Sequence, residues 1–201
     1  MVNRTVPRQD AQANRARLLE AARDLFREKG ISVEMREIAE RAELSVGTIY
    51  RNFPSKDGLI SAILREGISA ATTDAVASET AADPMTGLRA LLRHHLALVE
   101  RYGWLFDAYL NGQLPERCRV ELQSSSQEYA LRPRLRRLLD RAVENSSLRA
   151  GPSTQVAAAM LAGAVVSWAS TELLATRTAE QLVDEAIESL LSSWHPADDD
   201  A

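Results

Sequence analysis

The chain has 201 residues, 45% of them hydrophobic and 26% charged, with a formal net charge of −4; it is long enough for one large or two small domains of ordinary globular composition. That charge excludes a protein that binds nucleic acid along its whole length. The single cysteine, Cys118, excludes an internal disulfide, and the longest apolar run, the 11 residues Val156 to Val166, is too short to span a bilayer. Gly and Pro are sparse, β-branched runs are few, and an all-α fold is expected. No apolar segment lies near Met1, so a reducing, cytoplasmic setting is expected. The charge is uneven: residues 1–60 hold 11 Lys and Arg against 9 Asp and Glu, while 61–201 hold 13 against 19.

Residues 1–9 carry Arg4 and Arg8 around Pro7 without periodicity and read as a flexible arm. Such arms can reach a phosphate backbone or minor groove, although an incidental charged end is the commoner case. A helix follows from Asp10 or Asn14 to Lys29, with Leu18, Leu19, Ala22, Leu25 and Phe26 as one apolar stripe and Gly30 closing it.

The stretch from Glu34 to Phe53 then reads as two short helices joined by a tight turn. Ile38, Ala39 and Ala42 give the first a buried face, and Val46, Ile49 and Phe53 do so for the second. Ser45 stands at the second N-cap, its hydroxyl in reach of the Gly47 or Thr48 N–H. The opposite face carries Gly47, Thr48 and Arg51, flanked by Tyr50 and Asn52. A helix of two turns does not hold itself together in water, so its neighbours must pin it and its outer face is free for recognition. Phe26, Ile38, Ala42, Leu44, Ile49 and Phe53 are the expected core. An ordinary helical corner with a solvated face would look similar.

The sequence VGTIYRNFPSKDGL, preceded by REIAERAELS, resembles the helix-turn-helix of TetR-type transcriptional regulators over roughly residues 10–70. The resemblance implies a homodimer, two heads reading a pseudo-palindromic operator in double-stranded DNA, and a small-molecule cavity in each body. It carries phosphate contacts to Tyr50 and Lys56 and base-edge or phosphate contacts to Thr48 and Arg51. Ser45, Val46, Gly47 and Asn52 are supporting positions, and Arg36 is a candidate backbone contact. One residue departs from the pattern: Glu43 stands in the turn where the family usually has glycine, which takes positive φ cheaply. Either strain or a different turn follows.

The expected organisation is a helix-turn-helix domain at 10–54, with the motif at 34–53, and a helical ligand-binding and dimerisation domain at 55–195. Residues 196–201 are an expected flexible end. Pro54 stops the recognition helix and Ser55 caps the next, which runs to about Ala77 with Leu59, Ile60, Ile63, Leu64 and Ile68 inward. Lys56 in its first turn opposes the helix dipole, which makes sense if an anion docks there.

Asp83-Pro84 opens a helix expected to end near Tyr102, broken by Gly103, with Trp104, Phe106 and Tyr109 on a short separate helix. These aromatics, with Trp168, are candidate ligand-pocket residues, although plain core is the commoner role of such clusters. Residues Pro115 to Gln127 show no clear pattern, and Glu128 to Glu144 reads as a helix with Leu135, Leu138, Leu139 and Ala142 inward. Ser153 or Thr154 caps a helix to about Leu174 that is apolar nearly all round and must be covered on every side. Thr178 and Gln181 form a capping box opening a helix to about Trp194. The helices at 153–174 and 178–194, taken from two chains, would form a four-helix bundle across a twofold axis.

His94 and His95 are adjacent, about 100° apart on a helix, and no metal site is expected. The expected partners are DNA, a second copy and a small-molecule effector, with no cofactor. Two competitors stand beside ligand-relieved repression. One is a helix-turn-helix activator or constitutive regulator; the other is a small helical enzyme, for which no nucleophile set, metal spacing or phosphate loop is present.

Overall fold

The computed structural model describes residues 8–148, 153–169 and 177–191, and no strand occurs among them. The chain is all-α. Its helices are α1 (Arg8–Lys29), α2 (Met35–Arg41), α3 (Val46–Asn52), α4 (Lys56–Glu79), α5 (Pro84–Leu110), α6 (Glu116–Tyr129), α7 (Leu131–Glu144), α8 (Thr154–Ala169) and α9 (Ala179–Leu191). Of the ends read from sequence as flexible, residues 1–7 and 196–201 lie outside the described residues, while Arg8 and Gln9 already belong to α1. The expected ends of the last two helices, beyond Ala169 and Leu191, also lie outside them.

The residues group into two compact units, Met1–Gly67 with Arg101–Ser124, and Ile68–Glu100 with Ser125–Ala201. The first unit extends past residue 54, because the apolar side of early α4 shares a core with the end of α5. Leu59, Ile60, Ile63 and Leu64 are buried, as are Trp104, Leu105, Ala108 and Leu114. Trp104 packs on Phe26 of α1 with ring centroids 4.8 Å apart. Buried Cys118 of α6 places its Sγ 3.3 Å from the Ser61 hydroxyl of α4. Arg23, almost fully buried on α1, pairs with Glu66 of α4 at 3.0 Å.

In the second unit, α7 and α9 pack on α8 around Leu88, Leu92, Leu135, Leu139, Leu161, Val165, Val183 and Ile187. Gly87 makes a close helix crossing possible: a Cβ there would run into the Ser78 carbonyl oxygen. The Glu79 carboxylate near the end of α4 is held by Arg134 and Arg137, while Arg141 donates to the Glu79 carbonyl at 2.5 Å and the Ala81 carbonyl at 2.8 Å. Asp140 accepts from the Thr154 hydroxyl at 2.5 Å, fixing the start of α8 against α7.

One expectation about a helix end is corrected, and one unassigned stretch proves helical. Gly103 does not break α5, which continues to Leu110 and ends at Gly112, φ +66°. A mid-helix glycine costs only about 1 kcal/mol relative to alanine, and burial of Trp104, Leu105 and Ala108 in the next turns outweighs it. The patternless stretch after Pro115 is α6, its direction set by Leu114 and Cys118, both buried. The capping box appears as read: the Thr178 N–H donates to Gln181 Oε1 at 2.9 Å, and the Gln181 N–H to Thr178 Oγ1 at 3.2 Å.

Candidate nucleic-acid interface

The motif is assembled by α1, α2 and α3, whose apolar faces meet at Leu18, Ala22, Phe26, Ile38, Ala39, Ile49 and Phe53, all buried. Leu44, expected in this core, is half-buried. The turn between α2 and α3 closes on Glu43 at φ +53°. Its N–H donates to the Glu40 carbonyl at 3.0 Å and the Leu44 N–H reaches back to the Ala39 carbonyl at 2.9 Å, the double closure by which a helix ends on a left-handed residue. Glu43 therefore adopts the conformation in which glycine is cheapest, and its partner, Arg17 at 3.2 Å, is an exposed pair that contributes little.

Ser45 caps α3, its hydroxyl accepting from the Thr48 N–H at 3.2 Å. The same hydroxyl shares a hydrogen bond with Thr48 Oγ1 at 2.8 Å, and Arg51 Nη2 donates to Thr48 Oγ1 at 3.2 Å. Ser45, Thr48 and Arg51 thus form one polar line along the outer side of the helix. Tyr50, Arg51 and Gly47 are exposed, Thr48 and Asn52 half-buried. Asn52 Nδ2 is occupied by the Thr48 carbonyl at 2.9 Å.

The expectation that Val46 faces inward with Ile49 and Phe53 is corrected: it is 41% exposed. As the first residue of α3 it has no preceding turn to pack beneath it, so only Ile49 is buried within α3 and Phe53 at its end. Arg36 is exposed on α2, tied to Glu40 at 2.9 Å.

Ser55 caps α4, accepting from the Gly58 N–H at 3.1 Å, with Lys56 half-buried in the first turn. Partial burial lowers the ammonium pKa, opposed by the carboxylates of Asp57, Glu34 and Glu37. Pairing separates the cations between residues 10 and 60. Arg17, Arg23, Arg27, Lys29, Arg36 and Arg41 each lie beside a carboxylate. Arg15, Arg51 and Lys56 form no ion pair within 4.0 Å among the described residues, although Asp57, Glu34 and Glu37 act on Lys56 from farther away. Arg15 is not among the residues that the motif singles out; its guanidinium carbon lies 4.5 Å from the centroid of the Phe53 ring. The signal for it is its spacing, one turn before Leu18 and Leu19 on the apolar side of α1.

Of the candidate ligand residues, Trp104 is buried against Phe26, and its indole N–H has no acceptor among the described residues. Tyr109 is half-buried and its hydroxyl accepts from Gln123 Nε2 at 3.1 Å. The side chains of Phe106 and Trp168 lie outside the described residues. No group of three or more His, Cys, Asp or Glu side chains able to hold a metal occurs among the described residues. No described helix is long and apolar enough to cross a membrane.

Residues 18–63 match the family model described as bacterial regulatory proteins, tetR family. An HTH-type transcriptional repressor of Mycobacterium tuberculosis, Rv3405c, is 38% identical over 103 residues, covering 51% of this chain and 52% of the relative. The chain thus spans about half the length of the curated relatives it matches first. Among solved structures, the ketosteroid transcriptional regulator KstR2 of Mycobacterium tuberculosis superposes with TM-score 0.69 at 19% identity, covering 90% of this chain and 95% of that one. AibR in complex with isovaleryl coenzyme A and operator DNA superposes with TM-score 0.67 at 22% identity, covering 89% and 98%. The structural likenesses carry the fold, and the motif match places residues 18–63, with the capped seven-residue α3 braced by α1 and α2, among the sequences of the tetR family of bacterial regulatory proteins.

Proposed function

We propose that this protein is a homodimeric transcriptional repressor that binds pseudo-palindromic operators in the cytoplasm and is released by a small molecule. The observation that carries the reading is the outer face of α3, where Ser45, Thr48 and Arg51 are hydrogen-bonded in a line beside exposed Tyr50. Inserted in a major groove, Arg51 is the side chain suited to a bidentate guanine contact, worth about 1–3 kcal/mol of discrimination. Tyr50 and Lys56 hold phosphates on either side, which fixes register. Lys56 stands at a capped helix N-terminus and forms no direct ion pair among the described residues, an arrangement that favours an anion. Gly47 and Val46 permit close approach, and Arg36 contributes after leaving Glu40.

Dimerisation is supported by α8. Its inner side buries Ala157, Ala158, Leu161, Ala162 and Val165, while Val156 and Met160 are each more than half exposed and Gly163 is exposed beside them. A second copy of α8 and α9 is the cover this face calls for. Release by ligand is supported by Trp104: a buried indole N–H without an acceptor costs about 1–3 kcal/mol, and an apolar molecule carrying a carbonyl or carboxylate oxygen would satisfy it. AibR was solved with an acyl coenzyme A and operator DNA together, so this fold accommodates both kinds of partner.

The test is selection of duplexes retained by the purified protein from a random pool, followed by footprinting with wild type and Arg51→Ala. A palindromic consensus with half-sites about one or more helical turns apart, lost in the variant, is expected. Retention of no duplex at low salt overturns the reading.

A further inference from the structure

Arg15 is a cation of the motif-bearing helices that lies outside the recognition motif and that no carboxylate neutralises among the described residues. It is exposed on α1, yet its guanidinium is not loose: it lies over the ring of Phe53, 4.5 Å from the centroid. Phe53 is the residue that ends α3, its N–H donating to the Ile49 carbonyl at 2.8 Å. Pro54, Ser55 and Lys56 follow it directly. The aromatic face fixes the direction of the guanidinium without cancelling its charge, as a carboxylate would. Six neighbouring cations are tied to acids. The three left over, Arg15, Arg51 and Lys56, come from three different helices, with Arg15 held to the residue that closes α3. Arg forms flat two-point contacts with phosphate oxygens, and a guanidinium stacked on a ring keeps its N–H edge available for them.

We propose that Arg15 is a phosphate contact delivered from α1, held in readiness by the Phe53 ring, so that the DNA backbone is gripped by α1 as well as by α3 and α4. This rests on the DNA-binding reading above.

The experiment measures the salt dependence of binding to the selected operator and to a scrambled duplex for wild type, Lys56→Ala, Arg15→Gln and Arg15→Lys. Folding of each is followed by circular dichroism. Removing one phosphate contact to B-DNA lowers the slope of log K against log salt by about 0.9, equivalent to about 3.5-fold between 50 and 200 mM salt. Arg15→Gln is expected to lose this increment as Lys56→Ala does, equally on both duplexes, and Arg15→Lys to retain it. If Lys56→Ala flattens the slope and Arg15→Gln lowers thermal stability but leaves the slope at the wild-type value, Arg15 only braces Phe53 and the proposal is overturned. If wild type itself retains no duplex, the DNA-binding reading falls, and the proposal with it.

Discussion

Arg51 Nη2 donates to Thr48 Oγ1 at 3.2 Å, and the same Thr48 oxygen lies 2.8 Å from the Ser45 hydroxyl that caps the helix. The hydroxyl that starts α3 is therefore connected, one turn on, to the guanidinium expected to read bases. Replacing Thr48 by Val keeps the shape and removes the acceptor. Operator affinity should fall towards that for scrambled DNA by about 1 kcal/mol, the scale of one hydrogen bond, with the salt slope unchanged. Arg51→Ala should lose about 1–3 kcal/mol of discrimination. Competition titrations with both duplexes measure the difference, and a uniform loss on both would place Thr48 on the backbone instead.

Glu43 sits at φ +53°, and a side chain in that region costs about 1–2 kcal/mol. Glu43→Gly should raise the denaturant midpoint, corresponding to a gain of about 1 kcal/mol after the greater freedom of the unfolded glycine is deducted. The exchange also removes the exposed ion pair with Arg17, which counts for little. A lowered midpoint would mean that the Glu43 carboxylate does more than its exposure suggests.

Two glycines of α5 should respond oppositely to alanine. At Gly103 an added Cβ would meet open space, so Gly103→Ala should stabilise by up to about 1 kcal/mol through helix propensity alone. At Gly87 the same methyl would collide with the Ser78 carbonyl oxygen. Overpacking of this kind costs about 1–3 kcal/mol or more, and Gly87→Ala should lower the melting temperature. Thermal melts of the pair check both signs in one experiment.

Asp83 caps α5, accepting from the Thr86 hydroxyl at 2.6 Å, the Thr86 N–H at 2.8 Å and the Met85 N–H at 3.3 Å. These bonds, the Thr86 hydroxyl first, hold its carboxyl pKa below the ordinary value of 3.8. A depressed acid stabilises the fold above its unfolded pKa, and that stabilisation disappears as pH falls through the folded one. Asp83→Ala should cost about 1 kcal/mol at pH 7. The gap between variant and wild type should close as pH falls below 3.8. Denaturation series at about pH 7, 4 and 2.5, spanning the carboxyl titration, test this.

The motif is legible in the sequence because its signals are local. Ser45 as a cap, the Ile49 and Phe53 spacing and the outward Thr48, Tyr50 and Arg51 all follow from helical geometry over about two turns. Glycine misleads at Gly103, since a weak local preference yields to the burial of Trp104 and Leu105. Val46 misleads in the other direction: periodicity assigns a face, but a helix's first residue has no turn before it. The path of α6 depends on Cys118 meeting Ser61, 57 residues away, which no local pattern encodes. Arg15 shows the same limit, because its position on the stripe is readable but the Phe53 ring beneath it is not.

Cys118 is fully enclosed, its Sγ 3.3 Å from the Ser61 hydroxyl, and burial raises the thiol pKa. Its reactivity is therefore suppressed twice, by access and by scarcity of thiolate. This gives the protein a native chemical stopwatch. A maleimide can label the chain only while α6 lifts away from α4, so the labelling rate counts openings of the motif-bearing unit without an engineered probe. A ligand that tightens that unit would slow the reaction, and one that loosens it would hasten it.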